Sequence, residues 1–154
     1  MQPISTSAAT QLDCPECASL LVEQLREHDV HVSAELLCRV LERVVADKQR
    51  GFVHLARAEG RVVGVAYLAT ILSVEHVGPA AWLEELYVTP AWRQRGVGSA
   101  LVDAVLERAR AADIVAVDLE IDAGHSRAAS LYERLGFHRL ERSRWTRKLT
   151  SDAA

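Results

Sequence analysis

Long apolar runs are missing from this 154-residue chain, and none approaches the roughly 20 residues that a membrane-spanning helix requires. A basic excess is missing as well. Eighteen Lys and Arg stand against 21 Asp and Glu, a net charge of −3, which removes the electrostatic footprint of a general nucleic-acid surface. Aromatic residues make up only 5% of the chain, and no basic face interleaves Trp82, Trp92 and Trp145, so these read as packing residues rather than base-stacking platforms. Met1-Gln2-Pro3-Ile4-Ser5-Thr6 lacks the basic and apolar regions of a signal peptide. No membrane or nucleic-acid partner is expected, and the expected location is the cytoplasm.

Cysteine is scarce, at three residues. Cys14-Pro15-Glu16-Cys17 has C-x-x-C spacing, but a structural zinc site needs two more ligands, and neither a second C-x-x-C nor H-x₃₋₅-H is present. The pair reads as ordinary cysteines at a helix start, and no metal is expected. Repeats, low-complexity stretches and long linkers are likewise missing. The length suits one domain with a core large enough to fold alone, expected over residues 1–154.

The patterning that is present gives an ordered set of elements. A short edge strand fits the residues before Thr10. Asp13 is placed to cap a helix over 15–27, and Ser33 to cap a second in which Leu37, Cys38, Leu41, Val44 and Val45 recur at helical spacing. Residues 52–58 and 62–72 flank the turn Glu59-Gly60-Arg61 as a hairpin, and 73–79 is a loop. A strand over 81–88, a helix over 97–112, a strand over 114–121 and a helix from about 126 to Gly136 follow, with a closing pair of strands over 137–140 and 142–149. The expected fold is α/β (α+β), a mixed sheet with helices on both faces.

Between a strand and a helix stands Arg93-Gln94-Arg95-Gly96-Val97-Gly98-Ser99. Glycines let a backbone approach a ligand closely, and the first N–H groups of a helix have no internal partner and sit at the positive end of its dipole. The segment is therefore suited to a phosphate, with Arg93 and Arg95 adding charge. A Walker loop is excluded because Ser99-Ala100, not Lys-Ser/Thr, follows Gly98. A dinucleotide fingerprint is disfavoured because Leu101 occupies its third glycine, although Asp118 lies at a suitable distance. A glycine-containing helix start beside surface arginines is the remaining alternative.

The wider context resembles the GNAT superfamily of N-acetyltransferases. Arg93-Gln94-Arg95-Gly96-Val97-Gly98 matches that family's Arg/Gln-x-x-Gly-x-Gly/Ala motif, Leu86-Tyr87-Val88-Thr89-Pro90 is similar to its preceding strand and exit, and Ala128-Ala129-Ser130-Leu131-Tyr132-Glu133-Arg134-Leu135-Gly136-Phe137 is similar to its A-x-x-L-Y-x-x-x-G-F. The resemblance covers most of the chain from about Phe52. It implies a mostly antiparallel sheet with a splayed central strand pair that admits the pantetheine arm of acetyl-CoA. Main-chain groups of Leu86 and Val88 would bond pantetheine, a backbone N–H near Leu86 or Tyr87 would polarise the thioester carbonyl, and the amides of residues 95–99 would hold the pyrophosphate. An amine would attack acetyl-CoA directly, without an acyl-enzyme.

The resemblance also implies that Tyr132 protonates the departing thiolate; on its helix face alone it reads equally as a core tyrosine. Glu84 and Glu85 are candidate general bases, or attractors of a cationic acceptor. Strand alternation sends the two to opposite faces, and a solvated or paired glutamate is the plain alternative. His125 stands where the family often has Asn, seven residues before the tyrosine, and either touches the cofactor or substrate or only caps the helix region. The implied activity is acetyl-CoA-dependent transfer to a primary amine of a small molecule. A protein acceptor and a non-catalytic acyl-CoA-binding module are the alternatives. Loops 29–33 and 73–79 are expected to shape the acceptor pocket, and paired C-terminal strands would support a homodimer.

Overall fold

A computed structural model of the chain describes residues 3–122 and 124–150. Met1 and Gln2, part of the segment read for a signal peptide, lie outside the described residues. The chain forms two compact units divided between Glu120 and Ile121.

The first unit is a five-stranded sheet in the order β1-β2-β3-β4-β5: β1 (Ser5–Ala8), β2 (Gly51–Ala58), β3 (Arg61–Ser73), β4 (Gly78–Val88) and β5 (Ala116–Leu119). Neighbours from β1 to β4 pair antiparallel, and β4 pairs parallel with β5. Helices α1 (Cys14–Glu27) and α2 (Ala34–Ala46) precede β2, and α3 (Val97–Ala111) makes the crossover from β4 to β5. The mixed, mostly antiparallel sheet is the architecture expected from the sequence.

Alternation along the strands sorts the two faces. Val53, Leu55, Val65 and Tyr87 form one core with Cys14, Cys17, Ala18 and Leu21 of α1 and Leu41 and Val44 of α2. Burying each of the larger side chains contributes about 1.5–3 kcal/mol. Ser33 caps α2, its Oγ accepting the Leu36 N–H at 3.1 Å. The cysteines of the C-x-x-C spacing are core residues: burial pushes the Cys14 thiol up to about 11 and that of Cys17 up to about 12, so neither offers a thiolate.

The opposite face belongs to α3. The helix buries Val97, Leu101, Val105 and Ala109, a stripe at i, i+4 spacing. Gly64 makes the close seat possible. A Cβ there would lie 2.8 Å from Leu101 Cδ1, 3.2 Å from Val97 Cγ1 and 3.2 Å from the Tyr87 carbonyl. The N-terminal turn of α3 is thereby packed against β3 beside the C-terminal half of β4.

Asp13 departs from its expected role. It occupies the N-cap position of α1, yet its carboxylate accepts from the Thr10 N–H at 2.7 Å and the Thr10 hydroxyl at 2.8 Å, and pairs with Arg57. Pro15 offers no N–H in that first turn, and Arg57 draws the carboxylate toward β2. Thr10's backbone N–H first, then its hydroxyl and Arg57, hold the Asp13 pKa below its ordinary value against the opposing effect of burial.

The second unit contains α4 (Ser126–Arg134), on which Tyr132 is buried and meets the Phe137 ring edge-on, with centroids 5.6 Å apart. The closing strands expected over 137–140 and 142–149 are not formed: no strand is present at 137–150. Neither alternate set of side chains is continuously apolar there. Phe137, Trp145 and Leu149 share one set with Arg139, Glu141 and Arg147, so a strand would have no face to bury. Trp145 is 91% exposed, which corrects its reading as a packing residue, and the strand pair no longer supports a homodimer.

Candidate functional site

The site residues of the first unit gather at the C-terminal half of β4. The β3–β4 register slips between Tyr67 and Leu68, which stand opposite Glu85 and Leu83, so Glu84 is the extra residue of a bulge. A bulge interrupts the two-residue alternation that would send Glu84 and Glu85 to opposite faces. Glu85 stands opposite Tyr67 and is half-buried, and Glu84, the inserted residue beside it, is exposed. Burial pushes the Tyr67 hydroxyl pKa up, the Glu84 charge adds to the rise, and Arg50 opposes it.

The parallel ladder stops at the same place. β4 pairs with β5 only from Ala80 opposite Ala116 to Leu83 opposite Leu119. From Glu84 to Val88 the outer edge of β4 has no strand partner among the described residues. The Thr89 N–H donates to the Val63 carbonyl at 2.9 Å, which sets the phase of the antiparallel ladder. Tyr87, opposite Val65, turns its backbone groups to β3, and Leu86 and Val88 turn theirs outward. Of the two N–H groups named from the sequence, the outward one is that of Leu86. Val88 has one outward group engaged, its carbonyl accepting from Arg93 Nε at 2.9 Å.

Beyond β4 a 3₁₀ turn over Pro90–Trp92 leads to a loop with left-handed backbone at Gln94 (φ 60) and Gly96 (φ 81). Glycine takes this conformation without the cost a Cβ imposes, and Gly96 begins α3 from it. The first i→i−4 bond runs from the Ala100 N–H to the Gly96 carbonyl at 3.0 Å, and no side chain caps the helix. The amides of Val97, Gly98 and Ser99 therefore lie ahead of the helical ladder at the positive end of a 15-residue helix. The two arginines behave differently. Arg95 lies over the Trp92 ring at 5.0 Å, whereas Arg93 lies over Tyr87 at 5.3 Å and donates to Glu27 of α1 at 3.0 Å. Tyr87 completes this cluster, its hydroxyl 3.4 Å from the same Glu27 oxygen.

In the second unit, burial pushes the Tyr132 hydroxyl up to about 12, which keeps it protonated at neutral pH. His125 sits at the N-cap position of α4. Its carbonyl accepts from the Ala129 N–H at 3.2 Å, and its side chain does not cap the helix.

Three features of the first unit were not read from the sequence. Gly64 seats α3, Glu27 anchors Arg93, and His76 Nε2 lies 2.9 Å from Asp118 Oδ2, tying the β3–β4 turn to β5. Each joins residues far apart in the chain, and no local motif marks them. A strand edge without a neighbouring strand among the described residues, running toward helix N-terminal amides, is suited to an extended ligand that pairs like a strand and ends in an anion.

Comparison with known proteins gives this geometry a family. A family model for the acetyltransferase (GNAT) family matches residues 15–137. The chain belongs to the acetyltransferase (GNAT) family. It is 28% identical to a mycothiol acetyltransferase of Propionibacterium freudenreichii subsp. shermanii, over 88% of this chain and 55% of that protein, and so spans about half that relative's length. Among solved structures it shares its fold with an aminoglycoside N-acetyltransferase in complex with CoA (TM-score 0.82, 19% identity, 97% of each chain). An integron cassette protein from the mobile metagenome of Cole Harbour Salt Marsh is similar in the same way, with TM-score 0.84, 20% identity, and 95% of this chain and 91% of that one covered.

Proposed function

We propose that this chain transfers an acetyl group from acetyl-CoA directly to a primary amine of a small molecule, through one acetyltransferase domain that includes both compact units. The observation that carries the proposal is the conjunction on β4 and α3: an edge that has no strand partner after Leu83 among the described residues, followed by the amides of Val97, Gly98 and Ser99 ahead of the helical ladder. Acetyl-CoA, when bound, supplies the acetyl group as a thioester. The outward Leu86 carbonyl and Val88 N–H suit the pantetheine amides, and the loop of Gln94, Arg95 and Gly96 leads into the pyrophosphate amides. Arg93 acts there by position: bonded to Val88 and Glu27, it fixes the end of β4 relative to α1.

The reaction forms one N–C bond and breaks one C–S bond. The outward Leu86 N–H is the donor suited to the carbonyl oxygen as negative charge develops on it, and such preorganised donors supply much of the rate gain. Glu84 and Glu85 are the candidates to take the ammonium proton, directly or through water. For the proton returned to the thiolate we assign Tyr132, from its motif position and its protonated state at neutral pH. His125 is assigned a cofactor contact. A cytoplasmic location and an acceptor free of nucleic acid and membrane complete the reading.

The test is thiol release from acetyl-CoA in the presence of primary amines. Steady-state turnover is expected, and Tyr132→Phe is expected to lower kcat by about 10²-fold or more while leaving coenzyme A affinity nearly unchanged. Binding of coenzyme A with no turnover across a broad amine panel would favour the acyl-CoA-binding module instead. Undiminished turnover in Tyr132→Phe removes that residue from the acid role.

A further inference from the structure

Between α2 and β3 lies a cleft of about 390 Å³, lined by Val40, Arg43 and Val44 of α2, by Arg50, and by Tyr67 and Thr70 of β3. Its lining carries two cations and no acid. The cations are not equivalent. Arg50 Nε is 3.3 Å from Asp47 Oδ2, so part of its charge is already balanced, and its carbonyl accepts the Thr70 N–H at 3.0 Å. The Arg43 side chain has no hydrogen bond or ion pair among the described residues. The Thr70 hydroxyl is spent on the Gln49 carbonyl. Val40 and Val44 supply an aliphatic wall.

Tyr67 connects this cleft to β4. It lines the cleft and stands opposite the bulge at Glu84 and Glu85, close enough to Glu84 for that charge to raise its pKa. From Tyr67 to Thr70 the cleft follows β3 for about 10 Å at the ordinary strand rise. A small molecule in the cleft that extends past Tyr67 would bring one end toward the two glutamates, which lie outside the lining, while its other end stays beside Arg43. Acids at one end suit an ammonium, and unbalanced guanidinium charge at the other suits a carboxylate or phosphate.

We propose that this cleft is the acceptor site, and that it selects amines carrying an anionic group, with Arg43 holding the anion while the amine lies beside Glu84 and Glu85. The proposal rests on the reading of β4 as the acetyl-transfer strand. It gives that reading a substrate class: short amines with an apolar body and a carboxylate or phosphate at the far end. Arg43→Gln removes the charge and Arg43→Glu reverses it, both at an exposed helix position that the core does not use.

Calorimetric titration of the coenzyme A-loaded protein with matched pairs tests it: 5-aminovalerate against pentylamine, 4-(2-aminoethyl)benzoate against phenethylamine, and 5-aminopentyl phosphate against 5-aminopentanol. At least one anionic member is expected to bind about fivefold more tightly than its partner, the scale of a solvent-accessible ion pair. That preference is expected to disappear in Arg43→Gln and to invert in Arg43→Glu, with coenzyme A affinity unchanged. Equal binding within every pair, a preference that survives Arg43→Glu, or no binding by any anionic member would each overturn the proposal. Parallel titration with acetyl-CoA separates the two readings. Failure of the unaltered protein to bind it defeats the acetyl-transfer reading, whereas intact cofactor binding without an anion preference defeats only the acceptor assignment.

Discussion

His54 lies on β2 with its Nδ1 buried and without a hydrogen-bond partner among the described residues, on the face of the sheet that α3 covers. Arg108 of α3 is its charged neighbour, and Arg108 itself lies 4.5 Å over the Phe52 ring. Burial first, then the Arg108 charge, hold the His54 pKa below its ordinary 6.5. The unfolded chain therefore binds a proton at a pH where the folded protein does not, and stability rises with pH across that interval. The contribution is fully present above pH 6.5 and is lost as pH falls toward the folded pKa. Thermal melts between pH 7.5 and 5.5 should show Tm falling on acidification, and His54→Leu should flatten that dependence. An equal slope in both proteins would remove His54 as its source.

At the scale of elements, the seating of α3 decides where its N-terminal amides stand. Gly64→Ala would put a methyl 2.8 Å from Leu101 Cδ1, and the helix must shift or the side chains repack. Overpacking of this kind costs about 1–3 kcal/mol. The expected outcome is a lower Tm together with weaker coenzyme A binding, because the displaced turn is the one that carries the amides. Unchanged values of both would show that the contact is soft.

The same element shows what the sequence could reveal. The strand, loop and helix from Leu86 to Ser99 are one continuous segment, and their motif could be read locally. So could α2, whose Ser33 cap and apolar stripe need no distant partner. The bulge at Glu84 could not, because it exists only in register with β3, and neither could the bond from Arg93 to Glu27, which joins residues 66 apart. The expected closing strands are not there. Residues 137–149 hold scattered apolar positions without a face, and β propensity alone does not build a strand there.

For the molecule as a whole, the family match over 15–137 runs across the division between the two compact units, which supports the proposal that both belong to one acetyltransferase domain. The net charge of −3 makes the cleft beside Arg43 a local reversal of an otherwise acidic chain. The functional reading rests on acetyl-CoA lying along β4 and ending at α3. Calorimetric titration with acetyl-CoA, on the unaltered protein and on Gly98→Glu, tests this most directly. The account predicts saturable one-to-one binding that Gly98→Glu weakens by at least tenfold, through a carboxylate and added bulk among the phosphate amides. Equal affinity in the two proteins would contradict that placement, and no binding by the unaltered protein would contradict the account itself.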